Sequence, residues 1–247
     1  MGGIVVIPAR GGSKRIPRKN LLPLNGRTMI ERVISTAKSV TDVSTVLVST
    51  DDQEIARYAR EVGAITNGLR PPQLADDESP TAPVIEYELS KLPVPIGRPD
   101  FVVVMYPTSI FVDASQINQM VRTFLSQAEQ VDMVMTVAEF PAPIERSWRS
   151  SKAGIGEEIY PGNRNKQSQD FEKHFYDVGQ AYVSNESAWS LIKQDLPVRT
   201  SLFLMEDPVV DINNPRDLAL ADAIIQSIET RKENERSMDL QNESSRK

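Results

Sequence analysis

The chain has 247 residues, of which 40% are hydrophobic and 25% charged, and its formal net charge is −6. The composition is ordinary for a soluble globular protein, and the length allows one large α/β domain or a domain with a modest appendage. The sequence contains no cysteine and one histidine, His174, which excludes disulfides, thiolate nucleophiles and multi-histidine metal centres. The excess of acidic residues disfavours nucleic acid as a partner, and no apolar run is long enough to span a membrane. We therefore expect a cytoplasmic protein.

Strand-like and helical patterns alternate along the chain. Apolar runs rich in β-branched residues predict strands at 3–8, 43–50, 100–106, 131–138, 178–184 and 201–205. Helical periodicity and capping residues predict helices at 28–39, 52–62, 80–92 and 114–129, and a last helix from Pro215 to about Ile228. On the fourth helix, Ile117, Met120, Val121, Phe124 and Leu125 are predicted to share the buried face. This pattern predicts a three-layer α/β/α domain with a mainly parallel central sheet.

Two segments depart from the alternation. Residues 139–177 combine prolines with polar runs, and we expect an excursion from the core that serves as a lid or a dimer arm. Residues 229–247 contain almost no large apolar side chain, which predicts a frayed helix end and a disordered tail. The sequence therefore predicts a single domain over 1–228.

The segment from Arg10 to Lys19 carries five cations and no acid. It follows the first predicted strand, and in parallel sheets ligands bind beyond the carboxyl ends of strands. Its glycine pair, Gly11 and Gly12, allows a sharp turn that points backbone N–H groups at a ligand. A solvated basic loop is the alternative, but the position after a buried strand favours a site for a polyanion such as a nucleoside triphosphate. Arg10 would bind phosphate oxygens bidentately, with Lys14 and Lys19 as point charges.

Segment 8–20 (PARGGSKRIPRKN) resembles the signature of the cytidylyltransferases that activate nonulosonic, sialic-acid-like sugars. The resemblance continues in order through 48–56 (VSTDDQEIA), 69–71 (LRP), 106–109 (YPTS) and 210–212 (VDI), and it covers nearly the whole chain to about residue 228. It implies the Rossmann-like fold of nucleotide-diphospho-sugar transferases and a homodimer built partly by 139–177. It also implies transfer of CMP from CTP to the anomeric hydroxyl of a sugar, with release of pyrophosphate.

The resemblance implies roles for individual residues. The triphosphate would be held by the side chains of Arg10, Ser13 and Lys19. The adjoining loop residues Gly11, Gly12 and Lys14 would complete that site. The nucleoside would be contacted by Asn20, Arg70 and Thr81. The backbone around Ala9 would read the cytosine edge. The residues expected to carry catalysis are Arg10, Lys19 and Asp211.

A magnesium site is implied at Asp211 and Asn213. Related enzymes usually have two aspartates spaced as in Asp-x-Asp, whereas this chain has Asp211-Ile212-Asn213. The amide oxygen of Asn213 can still bind Mg²⁺, although the site loses one negative charge. Helix capping before Pro215 is an equally good interpretation of Asn213 and the favoured one for Asn214.

Segments 168–170 (SQD) and 176–182 (YDVGQAY) resemble those of pseudaminic acid cytidylyltransferases, although Gln167 replaces a usual arginine. The resemblance implies a sugar site formed by Tyr106, Thr108, Asp177, Gln180 and Tyr182, with the Gln180 amide over the polar substituents of the sugar. We therefore expect CTP and a nonulosonic acid, most simply pseudaminic acid, as substrates. Legionaminic acid, N-acetylneuraminic acid and an eight-carbon ketosugar acid remain alternatives, as does a CTP-binding protein with impaired catalysis. No side chain is a compelling general base.

Overall fold

The computed structural model describes residues 2–76, 79–92, 98–206 and 209–244. Ten strands are present in these ranges: β1 (Gly3–Pro8), β2 (Pro23–Leu24), β3 (Arg27–Thr28), β4 (Val43–Ser49), β5 (Val102–Val104), β6 (Met133–Glu139), β7 (Trp148–Ser150), β8 (Gly156–Glu158), β9 (Phe175–Ser184) and β10 (Thr200–Leu204). Six α-helices accompany them: α1 (Met29–Lys38), α2 (Gln53–Glu61), α3 (Thr81–Ser90), α4 (Ala114–Ser126), α5 (Glu186–Lys193) and α6 (Pro215–Ser244). No helix in the described ranges is long and apolar enough to cross a membrane.

Six of the strands form one sheet in the order β10-β6-β9-β5-β1-β4. β1 pairs in parallel with both β4 and β5, and β10 pairs in parallel with β6. β9 alone runs antiparallel to its two neighbours, β5 and β6. The prediction of a mainly parallel sheet is confirmed, and each of the six predicted strands is present.

Helices cover both faces of this sheet, which gives three layers. Alternate residues of β1 enter opposite cores, with Val5 and Ile7 in one and Ile4 and Val6 in the other. The first core includes residues of α1, α2 and α4, and the second includes residues of α3 and α5. Because β1 is buried on both faces, it is apolar throughout rather than alternating.

The helices begin where the sequence supplies caps. Asp52 caps α2 by accepting hydrogen bonds from the backbone N–H groups of Glu54 and Ile55, and Asp113 and Gln116 form a capping box on α4. On α4 the predicted face is buried except for Leu125, which is 51% exposed, so its assignment to the core was wrong. The short helix α5 was not predicted; its N-cap is Asn185, which accepts from the backbone of Ala188.

The excursion over 139–177 has little regular structure. Its main element is the two-stranded hairpin β7–β8, in which Trp148 pairs with Glu158. Several large apolar side chains are exposed here, including Trp148 at 54% and Ile155 at 67%. That residues 139–177 form a lid or a dimer arm stays a prediction.

The last helix is longer than the sequence predicts. α6 continues to Ser244 rather than ending near Ile228, and its side chains are described as far as Arg231 and at Asn234. Residues 229–244 lack apolar periodicity but are rich in glutamate, lysine, arginine and glutamine, which favour helix intrinsically. Glu229 also anchors the helix, because its carboxylate accepts a hydrogen bond of 2.5 Å from Arg32.

Candidate active site

The loop that follows β1 turns at its glycine pair. The backbone N–H of Gly11 donates to Asp51 at 2.9 Å, so this donor is held by the protein rather than pointing at a ligand. A Cβ atom on Gly11 would lie 2.7 Å from Asp52, whereas one on Gly12 would meet nothing within 4 Å. The close approach of α2 therefore requires glycine at position 11, and Gly12 borders open space.

The cations of this loop divide into two groups. Arg18 turns away from the loop centre and forms ion pairs with Asp52 and Glu54 at the start of α2. Arg10, Lys14, Arg15 and Lys19 instead line a cavity of about 310 Å³ together with Ser13 and Asn213. The buried Asn20 fixes the loop from within, since its side-chain amide donates to the Arg10 carbonyl at 2.9 Å.

Lys19 joins this loop to the segment before α6. Its ammonium donates to the backbone carbonyl of Ile212 at 2.8 Å, and Ile212 is fully buried. Burial lowers the pKa of Lys19, and the nearby carboxylates of Asp211 and Asp217 raise it in part. The structure thus brings Lys19 and Asp211 together, as the sequence interpretation requires.

The hydrogen bonds at the start of α6 distinguish helix capping from metal binding for Asn213 and Asn214. Asn214 is the N-cap, because its side-chain oxygen accepts from the backbone of Asp217 at 3.1 Å while the Asp217 carboxylate accepts from the Asn214 N–H at 2.9 Å. Asn213 does not cap; its side-chain amide donates to the carboxylate of Asp211. The described residues include no group of three or more acidic or histidine side chains suited to a metal. One carboxylate and one amide oxygen still fit Mg²⁺, which completes its shell with waters and substrate phosphates.

Three adjoining cavities form a cleft along the carboxyl ends of the strands. The first is the cationic cavity around Arg10 and Lys19. A second, of about 170 Å³, shares Arg10, Ser13 and Lys19 with the first and adds Asn20, Tyr106 and Thr108. A third, of about 520 Å³, shares Tyr106 and Thr108 with the second and adds Asp177, Gly179, Gln180 and Asp211. We call the third cavity the acceptor cavity, because it includes four of the residues predicted for the sugar acceptor: Tyr106, Thr108, Asp177 and Gln180. The second cavity connects it to the cationic cavity through shared lining residues.

Two tyrosines support the acceptor cavity. The hydroxyl of Tyr182 donates to both carboxylate oxygens of Asp177, at 2.9 and 2.7 Å, and burial raises the pKa of Tyr182. Tyr106 packs edge-on against Tyr182 with ring centroids 6.1 Å apart, and its hydroxyl lies 2.8 Å from Thr81 Oγ1. Thr81 therefore contacts a residue that lines both the second cavity and the acceptor cavity, and its role at the nucleoside stays a prediction.

A family model for cytidylyltransferases matches residues 4–218 of the chain. The chain belongs to the cytidylyltransferase family. The sequence is 29% identical over 224 residues to a pseudaminic acid cytidylyltransferase of Campylobacter jejuni, an alignment that covers 90% of this chain and 95% of that protein. It is 27% identical over 236 residues to a CMP-N,N'-diacetyllegionaminic acid synthase of Legionella pneumophila, with 90% and 96% of the two chains covered.

The fold of this cytidylyltransferase also matches a solved relative. A structure of CMP:2-keto-3-deoxy-manno-octonic acid synthetase complexed with CTP superposes with a TM-score of 0.68 at 18% identity, covering 92% of this chain and 99% of that one. At this identity the likeness concerns the fold. The predicted α/β fold is thereby confirmed, and the match to the family model confirms the predicted enzyme class.

In this cytidylyltransferase, two predicted site residues, Ala9 and Arg70, are buried and are not among the described residues that line the three cavities. Ala9 is fully buried and its N–H donates to the Ser49 carbonyl at 2.8 Å. Arg70 is also buried; it donates to the carbonyls of Leu74 and Ser49 at 3.0 and 3.2 Å. Burial lowers the pKa of Arg70, while Asp51 and Glu88 raise it in part. Roles of Ala9 and Arg70 at the nucleoside stay predictions.

Gln180 lines the acceptor cavity, but its side-chain amide bonds to the protein itself, so its role over the sugar stays a prediction. Its side-chain oxygen accepts from the Phe111 backbone at 3.2 Å, and its amide nitrogen lies 3.5 Å from the Thr108 carbonyl, so it fastens the loop after β5. Sequence reasoning missed Arg15 and Asp217, which flank the Lys19 ammonium, and the buried Thr136 on β6. A polar side chain inside an otherwise apolar strand is the signal that could have identified Thr136.

Proposed function

We propose that this cytidylyltransferase transfers CMP from CTP to the anomeric hydroxyl of a nonulosonic acid, with pseudaminic acid as the first candidate acceptor. The single observation that carries the proposal is the cleft, in which shared walls connect a cationic cavity to an acceptor cavity. A transferase needs this arrangement, because the α-phosphorus must lie between the triphosphate site and the incoming hydroxyl. The names of the Campylobacter and Legionella relatives, both of which refer to acidic sugars, support the choice of acceptor.

The cationic cavity would hold the triphosphate. Arg10, Lys14 and Lys19 would neutralise phosphate oxygens, and the hydroxyl of Ser13 would donate a hydrogen bond. The Lys19 ammonium is held by the Ile212 carbonyl and the loop backbone by Asn20, so these two need little reorganisation as charge grows on the α-phosphate. The nucleotide would thus be oriented for in-line attack.

Asp211 and Asn213 would hold a Mg²⁺ ion beside this site. When bound, Mg²⁺ would neutralise phosphate charge and polarise the α-phosphate. Asp211 lines the acceptor cavity and Asn213 the cationic cavity, so the pair borders both substrates. In the reaction, the anomeric oxygen forms a bond to the α-phosphorus, the bond to the β-phosphate oxygen breaks, and the hydroxyl proton leaves. Asp177 and Asp211 are the carboxylates among the described residues of the acceptor cavity. We propose Asp211 as the acceptor of that proton, because Asp177 already accepts hydrogen bonds from Tyr182 and Gly179.

The direct test is pyrophosphate release. The full chain would be incubated with CTP, Mg²⁺ and one acceptor at a time: pseudaminic, legionaminic and N-acetylneuraminic acid, and an eight-carbon ketosugar acid. We expect release with pseudaminic acid, and competition between acceptors in one reaction would rank the alternatives. Binding of CTP by calorimetry without release from any acceptor would contradict the proposal and indicate a binding protein.

We further propose a cytoplasmic homodimer that uses the excursion over 139–177. Its exposed Trp148, Ile155 and Ile159 supply apolar surface that a second copy would cover. Light scattering of the purified chain is expected to give twice the monomer mass. Trp148→Ser would then shift the mass toward that of the monomer.

A further inference from the structure

The antiparallel strand β9 is interrupted where it borders the acceptor cavity. Its pairing with β6 runs through Tyr182 opposite Met135, then resumes with Asp177 opposite Val137. Between these pairs β6 contributes only Thr136, whereas β9 contributes the four residues 178–181. β9 therefore carries a four-residue bulge opposite Thr136, and three of the bulged residues, 178–180, line the acceptor cavity.

Residues 178–181 of β9 have no paired residue on β6, and the side chain of Thr136 forms hydrogen bonds with two of them instead. This side chain is fully buried. The hydroxyl oxygen accepts from the backbone N–H of Ala181 at 2.9 Å and of Gln180 at 3.3 Å, and the hydroxyl donates to the Ala181 carbonyl at 3.1 Å. One donor and two acceptor sites are all that a hydroxyl offers, so its capacity is fully used.

The bulge in turn positions the cavity wall. Gly179 adopts a positive φ of 64°, and its N–H donates to Asp177 at 2.8 Å. The Gly179 carbonyl accepts from Ser109 Oγ at 3.3 Å, and Gln180 accepts from Phe111. These hydrogen bonds fix the spacing between β9 and the loop after β5, and the Thr136 hydroxyl holds the bulge residue Gln180 that takes part in them. The cationic cavity that would take the triphosphate has no residue of this bulge among its described lining.

We propose that Thr136 is a positioning residue for the acceptor sugar, acting through the β9 bulge; this rests on the proposed sugar-nucleotide activity. Buried in an apolar strand, a valine of the same shape would pack equally well but would leave the Gln180 and Ala181 N–H groups without partners. The bulge would then relax and change the acceptor cavity, while the CTP site would be unaffected.

The test compares Thr136→Val, which removes the hydroxyl, with Thr136→Ser, which keeps it. We expect Thr136→Val to raise KM for the acceptor at least tenfold with KM for CTP within twofold of the unsubstituted enzyme. Thr136→Ser should restore acceptor KM to within about threefold. A folded Thr136→Val enzyme with unchanged acceptor KM, or one in which both KM values rise together, would overturn the proposal.

Two further measurements cover the cases in which this comparison fails. If Thr136→Val does not fold, Gly179→Ala perturbs the same bulge from its cavity side, and an unchanged acceptor KM in that variant would overturn the proposal. If the unsubstituted enzyme uses no acceptor, the proposed function fails, and amide hydrogen exchange tests the bulge by itself. The Gln180 and Ala181 amides should then exchange at least tenfold faster in Thr136→Val than in Thr136→Ser, and equal rates would refute the role of the hydroxyl.

Discussion

The ammonium of Lys19 donates a 2.8 Å hydrogen bond to the carbonyl of Ile212, 193 residues further along the chain. This bond connects the loop after β1 to the segment that begins α6. Ile212 is fully buried in a small core with Ile16, Leu24 and Phe111, so the carbonyl is a rigid acceptor. The lysine is thereby held at a fixed place in the cationic cavity, next to Asp211.

Replacing Lys19 by methionine is expected to reduce kcat/KM for CTP at least tenfold. The apolar stem is retained, but the charge and the bond to Ile212 are lost, and one buried charge-assisted contact contributes about 1.5–3 kcal/mol. Steady-state kinetics with pyrophosphate detection would measure the change.

Arg18 provides the matched control, since it is a cation of the same loop. Arg18→Gln removes the same charge, but Arg18 is itself exposed, and its partners are the half-buried Asp52 and the exposed Glu54 at the start of α2. Such pairs are worth about 0–1 kcal/mol of stability, so activity should be nearly unchanged. Equal losses in the two variants would show that only the overall charge of the loop matters.

The pH dependence of kcat/KM for CTP should reflect the lowered pKa of Lys19. If the ammonium binds phosphate, kcat/KM for CTP falls as the pH rises through a pKa below 10.5, the ordinary value for lysine. The Asp217 carboxylate raises this pKa, so Asp217→Asn should move the alkaline limb to lower pH. The amide oxygen can still accept from the Asn214 N–H, and Asn214 still caps α6, which keeps the helix intact. Asp222→Asn, on the same helix, should leave the limb in place; a shift in both variants would count against Lys19 as its origin.

Substituting Asn213 by aspartate is expected to strengthen metal binding. The change replaces the amide that donates to Asp211 by a second carboxylate, which raises the negative charge of the site. The Mg²⁺ concentration for half-maximal activity should fall several-fold. Titration with Mn²⁺, followed by electron paramagnetic resonance without substrate, should show tighter binding. Unchanged binding would indicate that Asn213 does not face the metal.

Much of the fold could be predicted from the local sequence pattern, but the partners of individual site residues could not. β1 is recognisable because both its faces are buried and every residue of the run is apolar. Arg18 and Lys19 are adjacent cations of one loop, and only the folded chain shows that one pairs with α2 while the other reaches Ile212. Such pairings depend on contacts between distant segments.

The β9 bulge and the extent of α6 were missed for different reasons. Thr136 is β-branched and suits a strand, and only its polarity in an apolar strand marks it. The bulge residues that its hydroxyl binds belong to another strand, so the local pattern does not reveal them. The second half of α6 has no apolar periodicity from which burial could be inferred. Its helix follows from intrinsic propensity, and Glu229 contributes a contact with Arg32 that sequence spacing does not reveal.

The contact of Glu229 makes the predicted domain boundary testable. A chain ending at residue 228 loses the ion pair with Arg32 and the bond to Asn25, whereas a chain ending at residue 231 retains both. Because the Glu229 side chain is 38% exposed, solvent screening limits the loss to about 0.5–1 kcal/mol of unfolding free energy. Urea denaturation should place the midpoint of the shorter chain below that of the longer one. Identical midpoints would show that the domain ends at residue 228.

Two glutamates of α3 should affect the pH dependence of stability with opposite signs. Burial raises the pKa of Glu88, whereas the hydrogen bond from Lys193 lowers the pKa of Glu86. Above the unfolded value of 4.5, the folded protein binds more protons at Glu88 than the unfolded chain, so this residue costs stability as the pH rises. At Glu86 the unfolded chain binds more protons, so stability is gained as the pH rises toward 4.5.

Glu88→Gln should therefore become more stable relative to the unsubstituted protein as the pH is raised from about 4 to about 8, since the amide never ionises. Glutamine can still accept the 3.0 Å hydrogen bond from Asn67, which keeps the packing of α3 comparable. Glu86→Gln, the control on the same helix, should become relatively less stable as the pH is raised from about 3 to about 6. Urea unfolding at each pH measures both differences. The same sign in both variants would mean that the interaction of Glu88 with the buried Arg70 outweighs its burial.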